Sequence, residues 1–383
     1  MPKNSVVGIN MQRVLVTGAD GFIGKNLLLH FAEMDNVECI SFTRENNLDD
    51  LLNSLAGVDW IIHLAGINRP KSTDEFIKGN IGLTEAICNL VKASGRIIPI
   101  VFASSIQVNL HNDYGRSKLA AEEALLSLYQ ETDNPVYIFR LPNVFGKFSR
   151  PNYNSVVATF CHNIARNLPI QINDPAVVIS LVYIDDLVES FKELLFKGHN
   201  HDCFVEVSPS YEMTVGDLAK QLKQFKNSRD DLVLGTVGKG LIRALYSTYL
   251  SYLPPESFLY PLKQFRDERG LFVEMLKTTV CGQFSFFSAH PGVTRGGHYH
   301  HTKTEKFLII KGKARFRFRH MATGEYYELD ISGDTSQIVE TAPGWTHDVT
   351  NISNEELICM LWANEIFDQE KPDTFPYPVN YKA

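Results

Sequence analysis

Val14-Leu15-Val16-Thr17-Gly18-Ala19-Asp20-Gly21-Phe22-Ile23-Gly24-Lys25 decides how the first half of the chain folds. The apolar run Val14 to Val16 has the continuous hydrophobicity of a strand buried on both faces. It runs into three glycines, and a helix-like segment follows from Lys25 to Met34. A strand, a tight glycine turn and a helix N-terminus together present backbone N–H groups to an anion. In such a turn the first glycine lets the chain reverse, the second lets backbone approach a pyrophosphate, and the third lets helix and strand pack closely. The spacing Gly-x-x-Gly-x-x-Gly is one residue longer than the common dinucleotide fingerprint, and a glycine triplet alone could serve packing. Context has to decide.

The chain has 383 residues, room for two domains with a core in each. A formal net charge of -7 argues against a broad nucleic-acid or anionic-membrane surface. The six cysteines (Cys39, Cys88, Cys161, Cys203, Cys281 and Cys359) are scattered without a Cys-x-x-Cys pair and read as reduced core thiols. There is no apolar run of membrane-spanning length, and Met1 to Asn10 lack a secretory apolar segment. The expected address is the cytoplasm.

Working outward from the glycines, Glu38 to Phe42 reads as a second strand, ending in Thr43-Arg44 where many dinucleotide folds place an acidic residue. A carboxylate would repel a ribose phosphate, whereas an arginine can pair with it, so Arg44 points to NADPH rather than NADH. Leu48 to Leu55 looks helical. Val58 to His63 is a third strand, followed by the small corner Ala65-Gly66, where backbone could lie against a cofactor. Phe76 to Ala93 reads as an amphipathic helix carrying Asn80, and Ile97 to Ala103 as a strand ending in Ser104-Ser105. Strands alternating with helices predict a doubly wound parallel sheet, with ligands beyond the carboxyl ends of its strands.

Tyr114-Gly115-Arg116-Ser117-Lys118 then opens a helix through Leu128. Tyr114 and Lys118 are four apart and share one helical face. An ammonium beside a phenol lowers the phenol pKa, which suits a proton donor to a carbonyl under reduction. Ser105 could hold the same carbonyl oxygen.

Thr17-Gly-x-x-Gly-Phe-Ile-Gly24, His63-Leu-Ala-Gly66, Ser104-Ser105, Tyr114-x-x-x-Lys118 and Arg140-Leu-Pro-Asn143-Val-Phe-Gly146 stand in an order that resembles the extended short-chain dehydrogenase/reductases acting on nucleotide sugars. The resemblance covers about Met11 to Leu253. It implies a Rossmann fold in which Ser105, Tyr114 and Lys118 are catalytic and Asn80 sits near them. It further implies that Asn143 lies at the nicotinamide–sugar boundary; together with the reading of the residues above, the expected cofactor contacts are Gly18, Gly21, Phe22, Ile23, Gly24, Arg44, Ala65, Gly66, Tyr114, Lys118 and Asn143. The serine stretch departs from the family pattern: it continues Ile106-Gln-Val-Asn109, and the gap to Tyr114 is short, so a more open sugar pocket is expected.

Asp185 and Asp186 precede a helix from Leu187 to Phe196 and read as capping rather than catalytic carboxylates. Thr214 reads as a helix cap. Lys147, Arg150 and Arg166 are candidates for a diphosphate, or solvated surface. Ser251 to Ser257, with Pro254-Pro255, is the expected linker, giving an NADPH-binding reductase domain over 1–253 and a second domain over 254–383.

From Leu259 short alternating runs take over, such as Phe284-Ser-Phe-Phe287, Ala314-Arg-Phe-Arg-Phe-Arg319 and Leu357-Ile-Cys-Met-Leu-Trp362, which predict an antiparallel all-β sandwich or barrel. Within it stand Gly292-x5-His298-x-His300-x4-Glu305-x6-Gly312 and Pro343-Gly344-x2-His347-x3-Asn351. Three imidazoles and a carboxylate on a rigid scaffold can bind a divalent metal, with zinc expected, and leave positions open. His301 is ambiguous, because a bulge could exchange it with His300. The spacing matches both motifs of the cupins, which implies a jelly-roll barrel. Phe265-Arg266-Asp-Glu-Arg269-Gly270 and Arg295-Gly-Gly-His298 resemble the cupin epimerases and ketoisomerases of deoxysugar pathways, in which such arginines hold the nucleotide diphosphate. In those enzymes a 4-ketone acidifies the neighbouring C3–H, a base removes the proton, and it returns on the other face. His298, His300 and His347 are candidates for that base only if not all are ligands.

A reductase followed by such a cupin resembles the CapF-type family of capsular-polysaccharide-synthesis enzymes over nearly the whole chain. The resemblance implies a UDP-sugar substrate, a homodimer and two steps. The cupin inverts C3 of UDP-2-acetamido-2,6-dideoxy-hexos-4-ulose, and the reductase reduces C4 with NADPH to UDP-2-acetamido-2,6-dideoxy-L-talose. Two rivals stand beside this expectation: a single-function reductase or epimerase with a structural cupin, and a non-enzymatic NADPH sensor, against which the Ser105, Tyr114 and Lys118 set argues.

Overall fold

The apolar runs of the first half form five parallel strands. They are β1 (Gln12–Thr17), β2 (Val37–Phe42), β3 (Trp60–His63), β4 (Ile100–Ser105) and β5 (Val136–Leu141), in the order β2-β1-β3-β4-β5. The computed structural model describes residues 11–70, 72–197, 203–267, 270–273, 276, 278, 282–365 and 370–380. Val14, Leu15, Val16, Ile61, Ile62, Ile100 and Val101 are all fully buried, as strands covered on both faces must be. The helices α1 (Phe22–Phe31), α2 (Leu48–Leu55), α3 (Leu83–Ser94) and α4 (Asp113–Thr132) connect them. Strand order turns back at β1, so the carboxyl ends of β1 and β3 open a crevice at Gly18 and Ala65.

By contacts the chain divides into two compact units, Met1–Val144 with Ser180–Ser210, and Phe145–Ile179 with Tyr211–Ala383. This division does not fall at the expected 253/254 boundary, because the helices Val156–Ala165, Val215–Asn227 and Gly240–Ser251 group with the β-rich half. The expected linker is packed structure. Pro255–Phe258 is a turn of 3-10 helix, and Phe258 is fully buried with its ring 5.2 Å from those of Phe318 and Trp345.

The second half is antiparallel, as its alternating runs predict. Besides a short hairpin of Gln264–Asp267 and Gly270–Val273, its strands are β6 (Leu259–Pro261), β7 (Gln283–Ala289), β8 (Thr294–Tyr299), β9 (Glu305–Lys311), β10 (Lys313–His320), β11 (Tyr326–Ser332), β12 (Gln337–Glu340), β13 (Trp345–Asn351), β14 (Leu357–Ala363) and β15 (Phe375–Pro376). β6 to β15 form two five-stranded sheets, β7-β14-β9-β12-β6 and β11-β10-β13-β8-β15. On β10 the period of two is plain: Ala314, Phe316 and Phe318 are fully buried, while Arg315 and Arg317 pair with Asp330 and Asp348. Register slips between Gly296 and His298, where Gly296 (φ 96°) and Gly297 (φ 75°) adopt conformations that favour glycine. The slip sets His298 opposite His347. Among the described residues no helix is long and apolar enough to cross a membrane.

A buried ionic cluster ties helix to sheet within the second unit. Glu340, 1% exposed, pairs with Lys306 and with Arg229 Nη1 at 3.2 Å, and accepts from Tyr246 Oη at 3.3 Å. Burial pushes the Glu340 carboxyl up, but Lys306 and Arg229 outweigh it and hold it below its ordinary value. Glu340→Gln would leave the buried Lys306 and the partly buried Arg229 without their counter-charge. We expect a loss of roughly 3–5 kcal/mol in urea unfolding; a loss within about 0.5 kcal/mol would show that the cluster is not stabilising as a unit.

Candidate active sites in the two units

In the first unit the glycines make a cradle that side chains would fill. Gly18 has φ 68°, and a Cβ there would lie 2.7 Å from Ala65 N. A Cβ on Gly24 would lie 2.4 Å from Gly18 O, so the start of α1 rests directly on the turn. Gly21 caps α1 without a side-chain hydrogen bond, and Phe22 and Ile23 begin the helix. The sequence placed this helix three residues too late, at Lys25. Arg44 is exposed just past the end of β2. This cradle suits a pyrophosphate: backbone donors at a helix N-terminus, with close approach permitted by missing side chains.

His63 ties the cradle to Asn80. Its Nδ1 lies 2.6 Å from Thr17 Oγ1 and its Nε2 2.9 Å from Thr84 Oγ1, and Thr84 in turn donates to Asn80 O at 2.6 Å. Burial, with a smaller push from Lys118, lowers the imidazole pKa to about 3, so it is neutral at physiological pH. Asn80 does not lie in the continuous helix expected from Phe76. It sits in a π-helical turn, Ile77–Gly82, between Thr73–Phe76 and α3. Its Oδ1 accepts from Ile67 N at 2.6 Å, and its Nδ2 donates to Ser117 Oγ at 2.9 Å, which links the Gly66 corner to α4.

Ser105, at the end of β4, is hydrogen-bonded to Tyr114, near the start of α4. Asn112 caps α4 by accepting from Gly115 N at 2.7 Å. The short loop leaves no space for a side chain at Gly115, where a Cβ would stand 2.1 Å from Gln107 O. Lys118, 4% exposed, donates to Ala103 O at 2.8 Å, and a Cβ on Gly66 would meet its Nζ at 3.1 Å. Burial lowers its pKa to about 8, with Glu122 opposing. The expectation of a lowered Tyr114 pKa is corrected. Burial raises it, the Ser105 hydrogen bond opposing, and the Lys118 ammonium is engaged with a carbonyl. Asn143 is exposed, with Nδ2 donating to Ser180 O at 3.1 Å.

Asp185 and Asp186 occupy the first turn of the helix Ile184–Lys197, where a carboxylate favours the helix dipole, and Asp185 also meets His30 Nε2 at 3.0 Å. Thr214 caps its helix by accepting from Asp217 N at 3.0 Å. Lys147 is 1% exposed and so is not solvated surface; Arg166 is exposed and donates to Tyr252 O at 2.8 Å, and Arg150 is exposed as well. Cys88, Cys161 and Cys359 are buried free thiols, and burial pushes the thiols of Cys39 and Cys88 up to about 12. Cys281, Arg269 and the side chain of Arg266 lie outside the described residues.

In the second unit His298, His300, Glu305 and His347 bring one donor atom each to within 4.8 Å of one another. Glu305 Oε2 lies 3.2 Å from His300 Nε2 and 3.3 Å from His347 Nε2. His347 is 2% exposed, and its Nδ1 is buried without a hydrogen-bond partner. Buried imidazole nitrogens converging on one carboxylate oxygen fit a divalent cation. Burial and the neighbouring imidazoles lower the His298 pKa to about 3, which keeps it in the neutral, ligating form. For Glu305, burial raises the pKa but His300 and His347 pull it well below its ordinary value. The choice between His300 and His301 is geometric: His301 packs its ring 5.0 Å from Phe375 and 5.5 Å from Tyr299, outside the cluster.

Sequence reasoning missed Asp373. Its carboxylate accepts from the N–H groups of His301, Thr302 and Lys303 at 2.8, 2.7 and 2.7 Å, and its carbonyl meets His300 Nδ1 at 2.5 Å. A partner on the second ring nitrogen is what orients a metal-binding histidine.

Residues 14–204 match the NAD dependent epimerase/dehydratase family and residues 265–375 the polysaccharide biosynthesis C-terminal domain. The chain is 56% identical over 371 residues, 97% of this chain and all of the relative, to a UDP-2-acetamido-2,6-beta-L-arabino-hexul-4-ose reductase of Pseudomonas aeruginosa. It belongs to the CapF-type family of capsule-biosynthesis enzymes. The capsular polysaccharide assembling protein CapF from Staphylococcus aureus superposes with TM-score 0.66 at 40% identity, covering 96% of this chain and 100% of that one. A UDP-glucuronic acid 4-epimerase from Bacillus cereus, 18% identical with TM-score 0.51 over 56% of this chain and 83% of its own, shares the fold. A CapF-type chain is thus an extended short-chain dehydrogenase/reductase followed by an all-β half, the architecture that the glycine turn and the alternating runs predict.

Proposed function

We propose that this CapF-type chain is a bifunctional nucleotide-sugar enzyme with a UDP-linked 4-keto sugar as substrate. The β-rich half, 254–383, inverts C3 of UDP-2-acetamido-2,6-dideoxy-hexos-4-ulose, and residues 1–253 reduce its C4 ketone to UDP-2-acetamido-2,6-dideoxy-L-talose. The observation that carries this reading is that one chain holds both the Ser105, Tyr114 and Lys118 set and a buried three-histidine, one-carboxylate cluster. The relative's printed name, a reductase of a UDP-linked hexul-4-ose, supports the same substrate class.

NADPH would supply the hydride, held at Gly18, Gly21, Phe22, Ile23, Gly24, Ala65 and Gly66, with Asn143 beside its nicotinamide. Ser105 holds the C4 oxygen by hydrogen bond, and Tyr114 gives it a proton. The raised Tyr114 pKa keeps that proton on the phenol until the oxygen demands it. Lys118 keeps a positive charge at the site below about pH 8. Asn80 holds the Gly66 corner against α4. In the other half a divalent metal, zinc by its donor set, would be held by His298, His300, Glu305 and His347, and would polarise the ketone or order the pocket. Reduction removes the ketone that makes C3 labile, so it traps the inverted isomer. We further propose a cytoplasmic homodimer.

Arg44 gives a direct test. We expect NADPH oxidation, followed at 340 nm with the UDP-linked 4-keto sugar, to exceed NADH oxidation, and Arg44→Ala to raise KM for NADPH at least about 10-fold while leaving NADH unchanged. Equal use of both cofactors by the wild type would contradict the NADPH assignment.

A further inference from the structure

Glu305 divides its two oxygens between unlike partners. Oε2 faces the imidazoles of His300 and His347, and Oε1 lies 3.3 Å from Lys303 Nζ. Lys303 is 8% exposed, and its ammonium also donates to Thr374 Oγ1 at 3.0 Å. Thr374 follows Asp373, the residue that gathers the N–H groups of 301–303 and meets His300 Nδ1. One dipeptide therefore holds both the ring of His300 and the ammonium that reaches Glu305. Burying an ammonium costs several kcal/mol unless it is well paired. Placing it beside a site for a dication adds repulsion. A neutral side chain could link the loop to Thr374 without either cost; the charge instead faces carboxylates, Glu365 nearby and Glu305 at 3.3 Å, and Glu305 is the one that also meets the imidazoles.

We propose that Lys303 is a positioning residue that reserves Oε1 of Glu305, so that a bound metal meets three imidazoles and a single carboxylate oxygen. The inference rests on the metal-binding reading of this cluster. With Oε1 held, the carboxylate cannot swing to grip the ion with both oxygens, and the position it would have filled stays open to a substrate oxygen. Without the ammonium, Oε1 is free to turn toward the ion, and Glu305 adds a ligand in the place where substrate would bind.

Cobalt(II) reports this without turnover, because its visible d–d absorption changes in shape and weakens as a further ligand enters. The full chain, its Lys303→Met and Lys303→Arg variants would be stripped with chelator, loaded with Co²⁺ and compared. We expect the Met variant to show a weaker, shifted d–d envelope, and the Arg variant, which can still pair with Oε1, to reproduce the wild-type spectrum. A Met variant whose spectrum superimposes on the wild type overturns the proposal. A wild type that gives no d–d bands removes the metal reading beneath it, a different and recognisable failure. Circular dichroism confirms that each variant is folded. Should the Met variant not fold, Thr374→Val removes only the ammonium's hydroxyl partner; it is expected to move the bands in the same direction, and an unchanged spectrum overturns the proposal.

Discussion

Tyr114→Phe is expected to lower NADPH-dependent reduction by roughly 10²–10⁴-fold, the range for a positioned general acid, while proton exchange at C3 continues. The substitution deletes one oxygen from a ring packed 6.0 Å from Phe76, and leaves Ser105, Lys118 and the glycine cradle in place. Cofactor affinity should change little, so the loss falls on kcat rather than on KM. The check is paired: NADPH oxidation by absorbance, and deuterium uptake at C3 by proton NMR on the same sample. A variant that oxidises NADPH at the wild-type rate would remove Tyr114 from the proton-donor role.

The complementary loss is expected from Glu305→Ala. That substitution removes the carboxylate to which His300 and His347 both point and leaves the Lys303 ammonium buried beside three imidazoles. Two effects then weaken a cation site: one ligand is missing, and an unneutralised charge repels the ion. Metal affinity should fall by more than the roughly 10–100-fold typical of losing an outer-layer partner. C3 exchange should fall with it, while Tyr114-dependent reduction of a substrate already carrying the inverted C3 persists. Elemental analysis of the purified variant gives the first readout and NMR the second. Metal content equal to the wild type would remove Glu305 from the ligand set.

Much of both sites is legible in the sequence because the groups lie close together in it. The glycine turn follows its strand at once, Tyr114 and Lys118 share one helical face, and His298, His300 and Glu305 flank one turn. What the sequence hides is what the chain assembles from afar. Asp373 and Thr374 carry no motif and lie in irregular chain, yet they hold the loop that presents His300. Spacing shows the lysine near Tyr114 but not the burial that raises its pKa. Pro254-Pro255 stop the helix Gly240–Ser251 as expected, but a proline stop does not say whether the next residue is packed, and Phe258 is. The π-helical turn at Asn80 escapes periodicity altogether, since an amphipathic pattern does not register a single widened turn.

The central claim is that one chain both labilises C3 and reduces C4, and a single incubation addresses it. Enzyme, NADPH and the UDP-linked 4-keto sugar are combined in deuterated buffer and followed by proton NMR. The account predicts deuterium at C3 of the product together with stoichiometric NADPH oxidation. NADPH oxidation with protium retained at C3 would contradict it, leaving a reductase whose β-rich half has no part in the chemistry.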